Sequence, residues 1–312
     1  MNDLPIAELE TFIAHSRGRH VLRLKVYQLS HGAFLTLPCT VLSNGQEGPR
    51  LCLVAGQHGD EWNGVYLIHR LSHFLDAEEV RGTLILLPIA NPLAFNEHQR
   101  VSSVDGVDLN RSYNVYAPRK PTEHLGLALW ESVFAHTDYL IDLHGGGPGE
   151  YLPHVVMPRH GSLELATKLN IPYIHRTGSV VGSLVYKCRQ DGIKALILEV
   201  GQGRSLNAPY LPQVRDGLLN FMRAIEMLSG PVQQGEEPYV FTQKELVPSP
   251  VAGFFETAVE LGQRVEAGDL LGHVTSIFAS HSTPVSAPRA GVILYLRREQ
   301  VVSERESLVH IA

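Results

Sequence analysis

The sequence contains, at residues 51–61, the stretch Leu-Cys-Leu-Val-Ala-Gly-Gln-His-Gly-Asp-Glu. Its first five residues form a short apolar run that ends at a glycine, which is typical of a buried strand. Residues 61–75 follow with apolar side chains at helical spacing, so we expect a helix there. A buried strand that passes directly into a helix is the repeating unit of α/β domains, whose central sheets are covered on both faces.

The same alternation of strands and helices continues on both sides of this stretch. The patterns predict further strands at residues 21–29, 34–42, 83–90, 139–143, 155–158 and 195–200, and further helices at residues 123–136, 162–168 and 210–228. We therefore expect an α/β domain over residues 1–232, with a mixed sheet flanked by helices.

The pattern changes after Gly230-Pro231. Residues 233–238 are polar and end in proline, as a linker would, and no helical periodicity follows them. A weak repeat appears instead: Pro-Val-Ala-Gly-Phe at residues 250–254 resembles Pro-Arg-Ala-Gly-Val at residues 288–292. Two similar sets of short strands predict a small β-sandwich or barrel with quasi-twofold symmetry over residues 233–312.

This C-terminal segment resembles the biotinyl/lipoyl carrier fold. The resemblance rests on the two repeated motifs and on Val-Glu-x-Gly-Gln-x-Val-x-x-Gly-Asp-x-Leu at residues 259–271. It implies a hairpin near residues 276–284, where a carrier holds the lysine that takes the prosthetic group. The last lysine of this chain is Lys244, so the resemblance implies the fold without the carrier function.

Composition excludes several classes of protein. The 312 residues are 44% hydrophobic, and the formal net charge of −6 comes without any run of like charge, which argues against a general nucleic-acid binder. No apolar stretch approaches the roughly 20 residues that span a bilayer, and the N-terminus lacks the pattern of a signal peptide. Three scattered cysteines fit a reducing compartment. We expect a soluble cytoplasmic protein without membrane or nucleic-acid partners.

Two of the 16 histidines occupy positions that favour metal binding. His58 and Glu61 follow the strand at residues 51–55, although one such pair is expected about once by chance in a chain of this composition. His144 directly follows the strand at residues 139–143 and precedes three glycines. Ligands of α/β sheets bind at the carboxyl ends of strands. Two imidazoles and one carboxylate leave a fourth position for water, as in a catalytic zinc site.

Other polar residues follow the same strands or the loops beside them. Asp142 precedes His144 by two residues and is a candidate to orient its imidazole. Glu199 ends an apolar strand, where a carboxylate is costly unless it is paired or functional, so we interpret it as a proton acceptor and donor. Asn110 and Arg111 together fit a carboxylate clamp. Asp108 is interpreted as a turn residue that caps nearby amides.

In order along the chain, these motifs resemble the succinylglutamate desuccinylase/aspartoacylase family, which belongs to the zinc carboxypeptidase group. The matching motifs are Gly-Gln-His-Gly-Asp-Glu at 56–61, Asn-Pro at 91–92, Arg100, Asp-Leu-Asn-Arg at 108–111, Asp-Leu-His at 142–144 and Leu-Glu-Val-Gly at 198–201. The resemblance covers the whole α/β part, and members with a lipoyl-like β domain are familiar. It implies one zinc ion per chain.

The resemblance also implies a role for each site residue. His58, Glu61 and His144 would hold the zinc, and Glu199 would act as general acid and base. Arg100 would polarise the scissile carbonyl. The α-carboxylate of the substrate would be held by Asn110 and Arg111.

The expected activity is zinc-dependent removal of an N-acyl group, acetyl, succinyl or similar, from an amino acid or a related small carboxylate. Two alternatives remain open. A carboxypeptidase that acts on peptide C-termini would use the Asn110–Arg111 clamp equally well, and a non-catalytic binding or scaffold protein could keep the fold. We expect the C-terminal β segment to narrow the entrance to the site or to mediate homo-oligomerisation.

Overall fold

The computed structural model describes residues 2–207, 209–278 and 281–312, and within them 14 strands form one mixed sheet and four form a second. The strands are β1 (Asn2–Pro5), β2 (Gly18–Gln28), β3 (Phe34–Ser43), β4 (Arg50–Val54), β5 (Thr83–Leu87), β6 (Tyr139–His144), β7 (Gly149–Pro158), β8 (Tyr173–Thr177), β9 (Lys194–Gln202), β10 (Tyr239–Phe241), β11 (Glu245–Pro248), β12 (Gly253–Thr257), β13 (Arg264–Val265), β14 (Leu270–Thr275), β15 (Ser282–Ser286), β16 (Gly291–Arg297), β17 (Val301–Val302) and β18 (Ser307–Ile311).

The α-helices lie between the strands of the first 232 residues. They are α1 (Leu9–Ala14), α2 (Trp62–Phe74), α3 (Pro92–Glu97), α4 (Pro121–Ser132), α5 (Leu163–Thr167), α6 (Leu184–Gln190) and α7 (Leu211–Ala224), with 3₁₀ turns at Ile6–Glu8, Ala77–Glu79, Leu109–Arg111 and Phe134–His136. Three of the helices begin at a side-chain cap, because Asn91, Ser162 and Ser183 each accept a hydrogen bond from a backbone N–H of the first turn.

Strands β5, β4, β6 and β9 form the parallel centre of the large sheet, in that order. Their side chains alternate between two apolar cores, one on each face: Leu51 and Leu53 point into one core, whereas Cys52 and Val54 point into the other. Helix α2 packs closely on β6, since a Cβ at Gly64 would lie only 2.6 Å from the Cβ of Leu143. This packing fixes the start of α2 beside the end of β6.

The C-terminal residues form a second group of strands with an apolar core of its own. The small sheet has the order β15-β14-β12-β17, and its residues Phe255 and Val274 share a core with Ile293 and Leu308 of the large sheet. The two repeated motifs begin β12 and β16 at their glycines. The large sheet crosses residue 232 without a break, because β16 pairs with β7 and β10 pairs with β8.

Most of the predicted elements occur in the structure, with shifted ends. The strand predicted at 155–158 is longer, Gly149–Pro158, and the helix predicted at 210–228 ends at Ala224. The prediction omitted β1, β8, α1, α3 and α6. The hairpin predicted near 276–284 joins β14 to β15, and residues 279 and 280 of this prediction lie outside the described residues. No helix in the described part of the chain combines the length and apolarity needed to cross a membrane.

Candidate active site

The loop between β4 and α2 brings His58 and Glu61 to the carboxyl edge of the parallel strands. The loop begins at Gly56, which has a φ of +64° and whose Cβ, if present, would lie 3.0 Å from backbone atoms of Pro88 and Ile89, just after β5. The carbonyl of Gly56 accepts a hydrogen bond from the N–H of Asn91 at 2.9 Å. Glu61 is the residue immediately before α2, and His144 is the last residue of β6. The structure therefore brings the three predicted ligands together.

The three side chains form a buried cluster whose ligand atoms all lie within 4.8 Å of one another. Oε1 of Glu61 is 2.9 Å from Nδ1 of His58, and Oε2 is 2.9 Å from Nδ1 of His144. The backbone N–H of Gly145 also donates to Oε2 at 3.1 Å. Burial alone would raise the pKa of Glu61, but the two imidazoles outweigh it and hold that pKa well below its usual value.

A carboxylate stands behind each imidazole, on the side away from Glu61. Asp108 Oδ1 is 3.1 Å from Nε2 of His58, and Asp142 Oδ2 is 3.0 Å from Nε2 of His144. An outer carboxylate that holds one ring nitrogen, and so leaves the other to face a metal, is the usual arrangement of metal-binding histidines. Two imidazole nitrogens and a carboxylate oxygen, oriented in this way, fit a metal ion such as zinc.

The orientation of His144 by Asp142 agrees with the interpretation of the sequence, whereas the interpretation of Asp108 was incomplete. Asp108 does accept a hydrogen bond from the backbone N–H of Asn110 at 2.9 Å, as a turn residue would. It also holds His58, which lies 50 positions earlier in the chain. The adjacent Asn-Arg pair was a signal that this turn belongs to the site, but no local pattern points from Asp108 to His58.

Glu199 lies on β9 directly opposite His144 on β6. Its Oε2 is buried and, among the described residues, has no hydrogen-bond partner. Burial raises the pKa of Glu199 to about 7; His144 opposes this shift and Glu61 adds to it. A carboxyl group with this pKa is suited to exchange protons near neutral pH.

The three other predicted site residues line the same pocket. Arg100 is half-exposed, with Nη1 3.6 Å from Oε1 of Glu61 and Nη2 donating to Asp108 Oδ2 at 3.2 Å. Asn110 is buried, and its Oδ1 accepts a hydrogen bond from the N–H of Leu184 at 2.9 Å while its Nδ2 is 3.2 Å from Nε2 of His144. Arg111 is exposed and donates from Nη1 to the carbonyl of Asn110 at 2.6 Å.

The pocket has a volume of about 610 Å³, within the range of small-molecule sites. Residues of the C-terminal segment form part of its wall: Lys244, Leu246, Tyr295, Ser307 and His310. Sequence reasoning did not identify these residues. The sequence pointed to them only indirectly, through the expectation that the C-terminal segment narrows the entrance to the site.

The chain is similar to known proteins in both its sequence and its fold. The sequence profile of the succinylglutamate desuccinylase/aspartoacylase catalytic domain matches residues 47–225. The chain therefore belongs to the succinylglutamate desuccinylase/aspartoacylase family. This membership places it among hydrolases that act on N-acyl amino acids.

Individual relatives are similar over nearly the whole chain. The N-alpha-acetyl-L-2,4-diaminobutyric acid deacetylase of Halomonas elongata is 28% identical over 326 residues, covering 99% of this chain and 95% of the relative. The product-bound ectoine utilization protein EutE (DoeB) from Ruegeria pomeroyi is 25% identical, with a TM-score of 0.85 over 96% of this chain and 97% of that one. A succinylglutamate desuccinylase/aspartoacylase from Rhodobacter sphaeroides shares the fold, with 22% identity and a TM-score of 0.85 over 95% and 96% of the two chains.

Proposed function

We propose that this chain is a zinc-dependent amidohydrolase that removes an N-acyl group from an amino acid or a related small carboxylate. The observation that carries the proposal is the buried cluster of His58, Glu61 and His144 beside a carboxyl group, Glu199, whose Oε2 lacks a described partner. The three clustered side chains would hold one zinc ion. When bound, zinc acts as a Lewis acid toward water and the amide carbonyl.

The proton transfers are assigned to Glu199. As a carboxylate it takes a proton from the attacking water, and as a carboxylic acid it gives that proton to the departing amine nitrogen. Its raised pKa of about 7 allows both protonation states at neutral pH. Because Oε2 has no described hydrogen-bond partner, no existing bond has to break before the group acts.

The remaining polar residues bind and orient the substrate. The guanidinium of Arg100, beside the metal ligands, is placed to donate to the oxygen of the carbonyl as negative charge develops on it. Arg111 presents a bidentate fork to the α-carboxylate. Asn110 already contacts His144 and the N–H of Leu184, so we assign it to positioning this clamp next to the imidazole.

The shape of the pocket favours a deacylase over a carboxypeptidase. Residues of the C-terminal segment wall the pocket, and its volume suits a small molecule. The named activity of the Halomonas elongata relative, a deacetylase of an N-acetylated amino acid, supports the same choice. The three buried cysteines are free thiols, which supports the expected cytoplasmic location.

The test combines metal analysis with hydrolysis of N-acetyl and N-succinyl amino acids by the purified chain. We expect about one zinc ion per chain, loss of hydrolysis on chelation and recovery when zinc is added back. The variant His58→Ala should lose bound zinc and at least about 100-fold in kcat/KM. His73→Ala, on the exposed face of α2, is the matched control and should retain both.

Two outcomes would contradict the proposal. Undiminished hydrolysis by metal-free protein would exclude zinc dependence. Release of C-terminal residues from an arrayed peptide library, without cleavage of N-acyl amino acids, would favour a carboxypeptidase.

A further inference from the structure

Three loops around the metal-binding cluster are joined to one another by backbone hydrogen bonds. They are residues 55–61, 145–148 and 203–207. The N–H of Gly203 donates to the carbonyl of Gly147 at 3.0 Å, and the N–H of Arg204 donates to the carbonyl of Asp60 at 2.7 Å. Because Asp60 directly precedes Glu61, a shift of the loop after β9 would displace a predicted metal ligand.

The side chains of two asparagines add a second connection between the first and the third loop. Asn63 lies buried in the first turn of α2, two residues after Glu61. Its Oδ1 accepts a hydrogen bond from the N–H of Asn207 at 2.8 Å, and its Nδ2 donates to Oδ1 of Asn207 at 3.2 Å. The same Nδ2 donates to the carbonyls of Gln202 and Ser205 at 2.7 and 3.0 Å. The start of α2 is therefore fixed against the chain that follows β9.

Glu150 and Arg298 extend this connection to the C-terminal segment. Glu150 is the buried second residue of β7, and its Oε1 accepts a hydrogen bond from Nδ2 of Asn207 at 2.9 Å. Its Oε2 accepts from Nε of Arg298 at 2.7 Å and lies 2.6 Å from Nη2. Arg298 follows β16, and its backbone N–H donates to the carbonyl of Pro148, in the second loop, at 3.1 Å. A continuous chain of contacts therefore joins Arg298 to Asn63 at the end of the metal-binding loop.

The carboxylate of Glu150 depends on Arg298 for its counter-charge. Across residues 2–207, 209–278 and 281–312, Arg298 provides the one cation within 4.0 Å of this carboxylate. The hydroxyl of Tyr210 also lies near it, but burial and then Glu150 raise the pKa of this hydroxyl, so it carries no charge at neutral pH. A carboxylate withdrawn from water is costly unless a cation and hydrogen bonds hold it. Loss of the Arg298 side chain would leave an unpaired charge in the middle of the chain of contacts, and we expect Asn207 and its loop to shift in response.

We propose that Arg298 is a positioning residue for the metal site. Through Glu150 and Asn207 it holds the metal-binding loop and the chain after β9 in the arrangement that binds zinc. Side chains bind a metal tightly only when they are held within about 0.5 Å of the required geometry, so small displacements of these loops matter. The inference rests on the proposed function. It gives the C-terminal segment a part in metal binding, in addition to its part in the wall of the pocket.

The experiment measures the zinc affinity of full-length variants by competition with a chelator, at a temperature where each variant is folded. In Arg298→Met we expect the Kd for zinc to rise by about 10-fold and kcat to fall by about 10-fold. KM should stay within about 2-fold, because Arg100 and Arg111, which we assign to substrate binding, belong to a different loop. Arg298→Lys should recover part of both losses, since its ammonium keeps the charge but not the two contacts of the guanidinium.

A second ion pair between the same two segments supplies the matched control. Nη2 of Arg204 is 2.6 Å from Oε1 of Glu299, and both side chains are exposed. Arg204→Met breaks this pair and keeps the backbone bond of residue 204, so the Kd for zinc and kcat should match those of the wild type. Asn207→Ala interrupts the chain of contacts at a second point. Combined with Arg298→Met, it should raise the Kd by less than the product of the two single effects, because both act through one chain.

The zinc measurements separate a failure of this inference from a failure of the proposed function. If Arg298 only stabilises the fold, Arg298→Met will unfold at lower urea concentration in chelator-treated protein but keep the wild-type Kd and kcat, and this result would overturn the inference alone. A raised Kd in Arg298→Met supports it even if no N-acyl amino acid is hydrolysed. A wild type that binds no zinc would overturn both. Should Arg298→Met fail to fold, the Kd values of Arg298→Lys and Asn207→Ala decide, and wild-type values in both would contradict the role of Arg298.

Discussion

The pocket has two regions, the metal-binding end and the C-terminal wall, that differ in how many hydrogen-bond partners their polar groups have. At the metal-binding end, both nitrogens of His58 and of His144 and both oxygens of Glu61 lie within hydrogen-bonding distance of a partner. On the C-terminal wall and the strand behind it, Lys244 has one long contact to a hydroxyl, and Nε2 of His154 is buried without a described partner. The three predicted metal ligands are therefore held in place before a ligand arrives, whereas Lys244 keeps donors available to a ligand that enters the pocket.

Two carboxyl groups, Glu61 in the cluster and Glu199 beside it, show how strongly the surroundings of a buried group act on its pKa. Glu61 and Glu199 are both inside the pocket, and burial alone would raise the pKa of each. Two imidazoles within 2.9 Å reverse the effect for Glu61, so it remains ionised as a metal ligand would. For Glu199 the opposing charges are weaker, and its pKa rises to about 7. One pocket therefore holds a permanent anion and a group that can exchange protons.

The largest expected effect comes from Glu199→Gln. Glutamine has the same shape but neither accepts nor delivers the proton, so kcat should fall by about 10²–10⁴-fold while bound zinc is unchanged. Stability should be unaffected or raised, because a buried carboxylate that lacks a described partner is replaced by a neutral amide. Steady-state kinetics, metal content and thermal unfolding measure the three quantities.

The control for this prediction is Glu164→Gln on α5, an exposed carboxylate away from the pocket, which should match the wild type in all three measurements. If Glu199→Gln keeps its kcat, Glu199 is not the proton carrier. Loss of zinc or of stability in this variant would show instead that Glu199 belongs to the organised, metal-binding region.

A smaller effect is expected from Asp142→Asn, which removes the carboxylate that holds His144 on the side away from Glu61. The change removes the negative charge that faces Nε2 of His144 and that accepts a hydrogen bond from Gln57 at 2.6 Å. Loss of such an outer carboxylate should raise the Kd for zinc by about 10–100-fold, as measured by competition with a chelator. The exposed Asp216→Asn serves as the control. An unchanged Kd would mean that Asp142 does not orient the ligand.

The two regions also differ in how far the sequence predicts them. His58 and Glu61 are neighbours in the chain, and the parallel pairing of β4, β6 and β9 brings His144 and Glu199 to the same edge. Strand ends and short motifs are local signals, so the candidate metal cluster could be predicted. The alternation of apolar strands with helices likewise predicted the α/β core.

The C-terminal wall depends instead on contacts that no local pattern encodes. Tyr151 meets His310 across 159 positions, and this contact requires β16 to pair with β7. The omitted elements have the same character: β8 is five residues long and α6 is seven, so their periodicity is short. Lys244 was noted in the sequence only as the last lysine of the chain, since its position in the pocket appears only once the two groups of strands are joined.

The smallest expected effect is on the stability of the folded chain. It tests the strand behind the C-terminal wall, where Nε2 of His154 is buried without a described partner. His154 is fully buried behind the pocket, with Nδ1 3.0 Å from the carbonyl of Leu152, and burial lowers its pKa to about 3. The unfolded chain takes up a proton near the ordinary pKa of about 6.5, whereas the folded chain does not. As the pH falls through this value the free energy of unfolding therefore decreases, by about 1 kcal/mol for this residue between pH 6.5 and 5.5, and well above it this residue contributes no pH dependence.

His154→Gln removes this titration, so its pH profile should be flatter than that of the wild type. In chelator-treated protein, urea unfolding at pH 7.5, 6.5 and 5.5 should show that the difference between the two proteins shifts in favour of the variant as the pH falls, by about 1.4 kcal/mol in total between pH 7.5 and pH 5.5, most of it below pH 6.5. The exposed His160→Gln should follow the wild-type profile at every pH. Parallel profiles for His154→Gln and the wild type would mean that the imidazole accepts a proton in the folded chain, through a partner or through water. His154 would then be hydrogen-bonded as completely as His58 and His144, and the contrast between these imidazoles would be lost.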